Sequence, residues 1–118
     1  MLIDENYQGL INRGTYYKIE GDLISKDDLI VNVNLYVAGK IVSSGNITCC
    51  EDIISDGVIL CSKNIICHKC IISDEEIISI GNITCTGDII SRLKIISGGE
   101  VKATGSIINS LTDCEVKR

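Results

Sequence analysis

The 118-residue chain has no Phe, no Trp and no Pro, and only four Tyr. An ordinary globular core drawing on aromatic rings and Leu is therefore excluded. In their place stand 24 Ile, a β-branched side chain suited to extended strands, so the composition reads as all-β. No apolar run approaches the roughly 20 residues that span a bilayer. The amino terminus (Met1, Leu2, Ile3, Asp4, Glu5) lacks the basic region and long apolar stretch of a signal peptide. A cytoplasmic protein without a membrane span is expected. Basic residues are in the minority, 11 against 16 acidic, for a net charge of −5. That disfavours nucleic acid and anionic lipid as partners, since both need a basic footprint. Seven Cys at irregular gaps do not make a secreted disulfide framework and suit a reducing compartment. The 45% hydrophobic and 23% charged content is that of a folded chain, and the length fits one domain.

What is present is a repeat. Cut every six residues from Gly21, the chain reads GDLISK, DDLIVN, VNLYVA, GKIVSS, GNITCC and so on to GSIINS, fifteen units without an insertion. The third position is always aliphatic: Leu23, Leu29, Leu35, Ile from Ile41 to Ile95, then Val101 and Ile107. The fifth is Ser, Cys, Val or Ala in every unit but the last, where it is Asn109. Positions three and five point the same way on a strand and line one face. Positions one and two, rich in Gly, Asp, Asn, Glu and Lys, carry corner chemistry. Each unit is a short strand and a bend.

A finer period fixes the coil. Cys49, Cys67 and Cys85 recur at every third unit, as do Asn46, Asn64 and Asn82, and Ser55, Ser73 and Ser91. Three units therefore close one turn of a triangular parallel β-helix with 18 residues per coil and about five to six coils. At about 4.8 Å between stacked strands, five coils extend roughly 24 Å. Tyr17 and Ile19 keep the inward phase, so part of a further coil precedes Gly21. The expected organisation is an N-terminal cap segment (1–14), the β-helix (15–110) and a short C-terminal cap or tail (111–118). Inside, Ile and Leu form three aliphatic ladders, with the small fifth-position residues filling the space beside them and the Ser hydroxyls sharing hydrogen bonds along their own ladders.

The units GDLIS, GNITC, GDIIS and GEVKA resemble the Gly, polar, aliphatic, any, small units of bactofilins, bacterial polymer-forming cytoskeletal proteins. The resemblance covers residues 15–110. It implies a right-handed β-helix, as the general preference of parallel crossovers also does, and a non-enzymatic, self-assembling function.

Position four alternates with three and five and faces outward. One face carries Ile24, Val42, Leu60, Ile78 and Ile96, a second Tyr36, Ile54, Ile72, Ile90 and Ile108, and the third the mixed series Ile30, Thr48, Ile66, Thr84 and Lys102. Strand propensity alone accounts for some outward Ile. Ten aligned apolar side chains nevertheless form a larger patch than a monomer normally exposes. These ten are the candidate interface residues, and a second copy, as homodimer or polymer, is the expected cover. The strand edges at the coil ends offer a second route to assembly.

Other candidates carry less. Cys67, His68, Lys69 and Cys70 show a metal-type Cys spacing, but the repeat sends Cys67 inward and Cys70 outward, so no metal and no cofactor are expected. Cys49, Cys67 and Cys85 read as small buried hydrophobes, and Cys50 and Cys70 as exposed thiols. His68, the single His, lies at an outward corner without a catalytic setting. Asp56, Asp74, Glu75 and Glu76 form an acidic corner. The alternative function is a small acidic inhibitor or nucleic-acid mimic that occupies a basic groove of a partner protein. The column Asp22, Lys40, Val58, Glu76, Lys94 alternates in sign, which favours pairing between coils over a continuous negative stripe.

Overall fold

A computed structural model describes residues 1–109, so the expected cap or tail at 111–118 lies outside the described residues. The described chain is all-β and contains no helix, hence none long and apolar enough to cross a membrane. Three short strands come first: β1 (Leu2–Ile3), β2 (Ile11–Asn12) and β3 (Tyr17–Ile19). Strands β4 to β18 follow, one per six-residue unit, from Leu23–Ser25 to Ile107–Asn109.

Every third strand stacks on the last, giving three parallel sheets around a triangular prism of about five turns. Sheet 1 holds β4, β7 (Ile41–Ser43), β10 (Ile59–Cys61), β13 (Ile77–Ser79) and β16 (Ile95–Ser97). Sheet 2 runs β1, β5 (Leu29–Val31), β8 (Ile47–Cys49), β11 (Ile65–Cys67), β14 (Ile83–Cys85) and β17 (Val101–Ala103). Sheet 3 runs β2, β3, β6 (Leu35–Val37), β9 (Ile53–Ser55), β12 (Ile71–Ser73), β15 (Ile89–Ser91) and β18. Parallel partners from β3 onward are separated in sequence by three repeat units, as Ile59 from Ile77 and Cys67 from Cys85. The three-unit coil read from the sequence is the coil observed.

The interior follows from alternation. The third-position side chains from Ile41 to Ile89 are essentially inaccessible, and the fifth-position Ser and Cys beside them are buried too. Full burial of each aliphatic side chain contributes about 1.5–3 kcal/mol. Strands of three residues suffice because each supplies two inward side chains and then turns.

The buried hydroxyls differ from the expected Ser-on-Ser ladders. Ser73 Oγ directs its one proton to the Gly57 carbonyl (2.8 Å), with the Glu76 carbonyl as the more distant second acceptor (3.2 Å), and accepts the Glu75 N–H (3.0 Å). Ser43, Ser55, Ser79, Ser91 and Ser97 likewise reach a corner carbonyl of the preceding coil. Thiols replace them at the same post: Cys61 and Cys67 bond to the carbonyls of Gly45 and Glu51. The corner carbonyls turn inward where the chain bends, and a β-oxygen or β-sulfur is the nearest donor. The carbonyls of Gly39, Lys63 and Gly81 also accept a backbone N–H from the next coil, from Gly57, Gly81 and Gly99, so there the hydroxyl is a second donor.

The corners are knitted by position two. The side-chain oxygens of Asp22, Asp28, Asn46, Asn64, Asn82 and Asp88 each accept the backbone N–H of the equivalent residue in the next coil, at 2.7–3.0 Å. Gly fits directly above several of them. A Cβ on Gly39 would strike the Asp22 carboxylate, and one on Gly99 the Asn82 amide. Gly21 has a different reason, a φ of +84° at the corner leading into β4.

Before the regular coils the chain departs from the period. Phase would assign residues 11–13 to the first rung of sheet 2. That rung is formed by β1 instead, with Ile3 beside Val31 and fully buried. Residues 11–12 turn back as β2 and pair antiparallel with β3, while Tyr7 and Leu10 pack against the core.

Candidate self-association surfaces

The outer faces are built by position four. Sheet 1 presents Ile24, Val42, Leu60, Ile78 and Ile96 in one row parallel to the prism axis, because adjacent strands are in register. The row ends are exposed, 54% for Ile24 and 46% for Ile96, and the three between are half-buried by their neighbours. Sheet 3 presents Tyr36, Ile54, Ile72, Ile90 and Ile108 in the same manner. Sheet 2 carries the mixed row. Outward Ile also stands at one corner, where Ile80 is 65% exposed. The alternation did not mark it, because position six was read as bend.

The sheet 3 row begins in an aromatic cluster that the repeat did not signal. Tyr16 and Tyr36 meet edge to face, ring centroids 6.2 Å apart at 73°. Lys18 Nζ lies 5.6 Å from the Tyr36 ring centre. The Tyr36 hydroxyl donates to Asp56 Oδ2 at 2.5 Å, and this bond, with burial and the carboxylate charge, pushes the phenol up to about 12. Beside the rings lies a shallow cleft of about 490 Å³, lined in part by Asn34, Asp52 and Ile54. Lys18 and Tyr36 share a column, so the coil spacing was the available signal.

The cysteines divide as the phase requires, with one difference. Cys49, Cys67 and Cys85 stack inside sheet 2, buried, and Cys50 is exposed. Cys70 is half-buried, less open than expected, since it sits under Gly87 at a corner. The six cysteines of the described residues are free thiols. A hydrogen bond with Cys67 and burial hold the Cys49 thiol well above its ordinary value, and burial pushes Cys85 up to about 12. These are protonated, packed side chains rather than nucleophiles. From inside the prism the Cys67 thiol reaches the Cys70 backbone carbonyl (3.4 Å), and His68 is exposed at its corner. Among the described residues no group of three or more His, Cys, Asp or Glu is placed to hold a metal ion.

Asp22 binds the backbone N–H of Lys40 rather than its ammonium. An ion pair between coils forms elsewhere, Glu51 to Lys69 at 2.7 Å. A shallow groove of about 660 Å³ joins Asp22, Lys40, Val58 and Glu76 to Leu60 and Ile78 of the sheet 1 row.

Comparison with protein-family models, with curated proteins and with solved structures returns no match.

Proposed function

We propose that the protein is a non-enzymatic structural β-helix that associates with copies of itself, in the manner the bactofilin resemblance implies. The observation that carries this reading is the pair of outward aliphatic rows on sheets 1 and 3. Inward aliphatics are consumed by the core, the fifth-position hydroxyls by corner carbonyls and the corner amides and carboxylates by backbone N–H groups. The outward Ile are surplus to the fold, and burying such rows against a second copy is favourable at about 25 cal/mol per Å². The free thiols favour a reducing, cytoplasmic setting. A right-handed course of the coil belongs to the same reading.

The inhibitor alternative is less well supported. Several corner carboxylates, Asp22, Asp28, Asp52 and Asp88, spend one oxygen on the coil above, which leaves fewer acceptors aimed at a basic partner. Sedimentation velocity over a wide concentration range, with negative-stain microscopy of the concentrated sample, tests the proposal. Concentration-dependent assembly is expected. A monodisperse monomer at high concentration in physiological salt overturns it.

A further inference from the structure

Of the two apolar rows, sheet 1 has a rim whose charges are complementary to themselves. Along the corner leading into sheet 1 the position-two residues are Asp22, Lys40, Val58, Glu76 and Lys94, one per coil. In charge they read negative, positive, neutral, negative, positive. Reversed, the same series reads positive, negative, neutral, positive, negative, so every charge meets its opposite. We propose that two copies pack sheet 1 on sheet 1 with their prism axes antiparallel, about a two-fold axis that runs along the central strand β10 through Val58 and Leu60. This rests on the self-association reading above and adds the face, the partner and the orientation.

The geometry follows from the symmetry. A two-fold axis lying in the interface parallel to the strands reverses the order of the coils but keeps the strand direction, so each corner faces its own counterpart. Lys40 then opposes Glu76 of the second copy, Glu76 opposes its Lys40, Asp22 opposes its Lys94, and Val58 meets Val58. The aliphatic row maps onto itself, Ile24 against Ile96, Val42 against Ile78 and Leu60 against Leu60. The far rim, Lys26, Ser44, Ser62, Ile80 and Gly98, places no like charges opposite one another.

The other arrangements lack this match. With parallel prisms the two corners of sheet 1 exchange, and Lys40 faces Ser44 while Glu76 faces Ile80. On sheet 3 an antiparallel dimer sets Asp56 against Arg92, but also Asp52 against Asp88 and Asp74 against itself, like charges directly opposed. The size of the face is also informative. A prism edge of one repeat unit is roughly 20 Å wide, and five rungs about 4.8 Å apart give on the order of 500 Å² per copy. The total of about 1,000 Å² stands at the lower limit of specific interfaces. In so small a contact the rim charges decide orientation.

The test is a charge swap read by sedimentation. Lys40→Glu and Glu76→Lys each set like charges opposite one another twice per dimer, and each is expected to weaken dimerisation about tenfold or more. The double variant restores opposite charges and is expected to recover it. The Lys40 N–H bond to Asp22 does not involve the exchanged side chain, and circular dichroism checks the fold of each variant. In a Cys50→Ser background, Val58→Cys is expected to give a disulfide-linked dimer under mild oxidation. Ile54→Lys with Ile72→Lys, on sheet 3, is expected to leave the dimer intact. A wild-type monomer overturns the self-association reading itself. A wild-type dimer that tolerates both single swaps, or a double variant that stays dissociated, overturns the sheet 1 arrangement alone.

Discussion

The side-chain oxygen of Asn82 accepts the backbone N–H of Glu100 at 2.9 Å, and in doing so fills the space that a Cβ on residue 99 would need. The same relation ties Asp22 to Gly39, Asp28 to Gly45, Asn64 to Gly81 and Asp88 to Gly105. At these five corners the Asp or Asn and the Gly of the next coil form one structural unit, because the clamping side chain lies where a methyl group would otherwise stand. At Asn34, Asn46 and Asp52 the same clamp is made under Glu51, Lys63 and Lys69, which carry a Cβ.

Gly99→Ala should destabilise the protein by about 1–3 kcal/mol, the range for forcing extra atoms into packed structure. The nearest atoms to the added Cβ belong to Asn82, with backbone no closer than 3.4 Å. In an Asn82→Ala background the same change should cost well under half as much. Urea denaturation of the four proteins of the double-mutant cycle measures the coupling, and additive effects would contradict the unit.

Ser79 occupies the post that Cys61 fills one coil below, in the same column of sheet 1. Both bond to a corner carbonyl of the preceding coil, Lys63 for Ser79 and Gly45 for Cys61. Ser79→Cys should therefore cost less than about 1 kcal/mol. Ser79→Ala should cost more, about 0.5–1.5 kcal/mol, because the hydroxyl bond to the Lys63 carbonyl is lost while that carbonyl keeps the Gly81 N–H. Thermal unfolding of the two variants compares them.

Stability should decline at alkaline pH. Burial pushes the Cys85 thiol up to about 12 in the folded protein from an ordinary value of 9.0. Unfolded thiols ionise first, so the contribution is fully present below about pH 9 and is lost as pH rises towards about 12. Denaturation midpoints across this range should fall, and less steeply for Cys85→Ala, a residue that column already accepts at Ala103.

The Tyr36 phenol should titrate above the ordinary value of 10.0, at about 12, because its O–H donates to the Asp56 carboxylate. Asp56→Asn removes the charge and most of the shift. The ultraviolet absorbance of tyrosinate, followed against pH in both proteins, reads this directly. Identical curves would show that the bond does not persist in solution.

Much of this architecture was legible because a β-helix repeats its environment. The inward aliphatic at Ile41, Ile59 and Ile77 and the small residue two places on are dictated by strand alternation alone. The recurrence of Cys49, Cys67 and Cys85 at every third unit set three units to a coil. The position-four rows followed from the same alternation. The hydroxyl bonding was not legible, since which carbonyl turns towards Ser73 depends on the bend between strands. Nor was the replacement of residues 11–13 by Leu2–Ile3, because β1 reaches its rung from outside the period.

By itself the sequence determined the all-β class, the triangular coil and the identity of the inward and outward ladders, because local alternation and an exact stacking period leave one arrangement that buries the Ile. The tertiary structure alone decided where the polar groups go. It turned Asp22, Asn64 and Asn82 onto the backbone of the coil above and brought Tyr16 and Lys18 onto Tyr36. Those relations lie between coils, and their geometry depends on how closely one bend rests on the next.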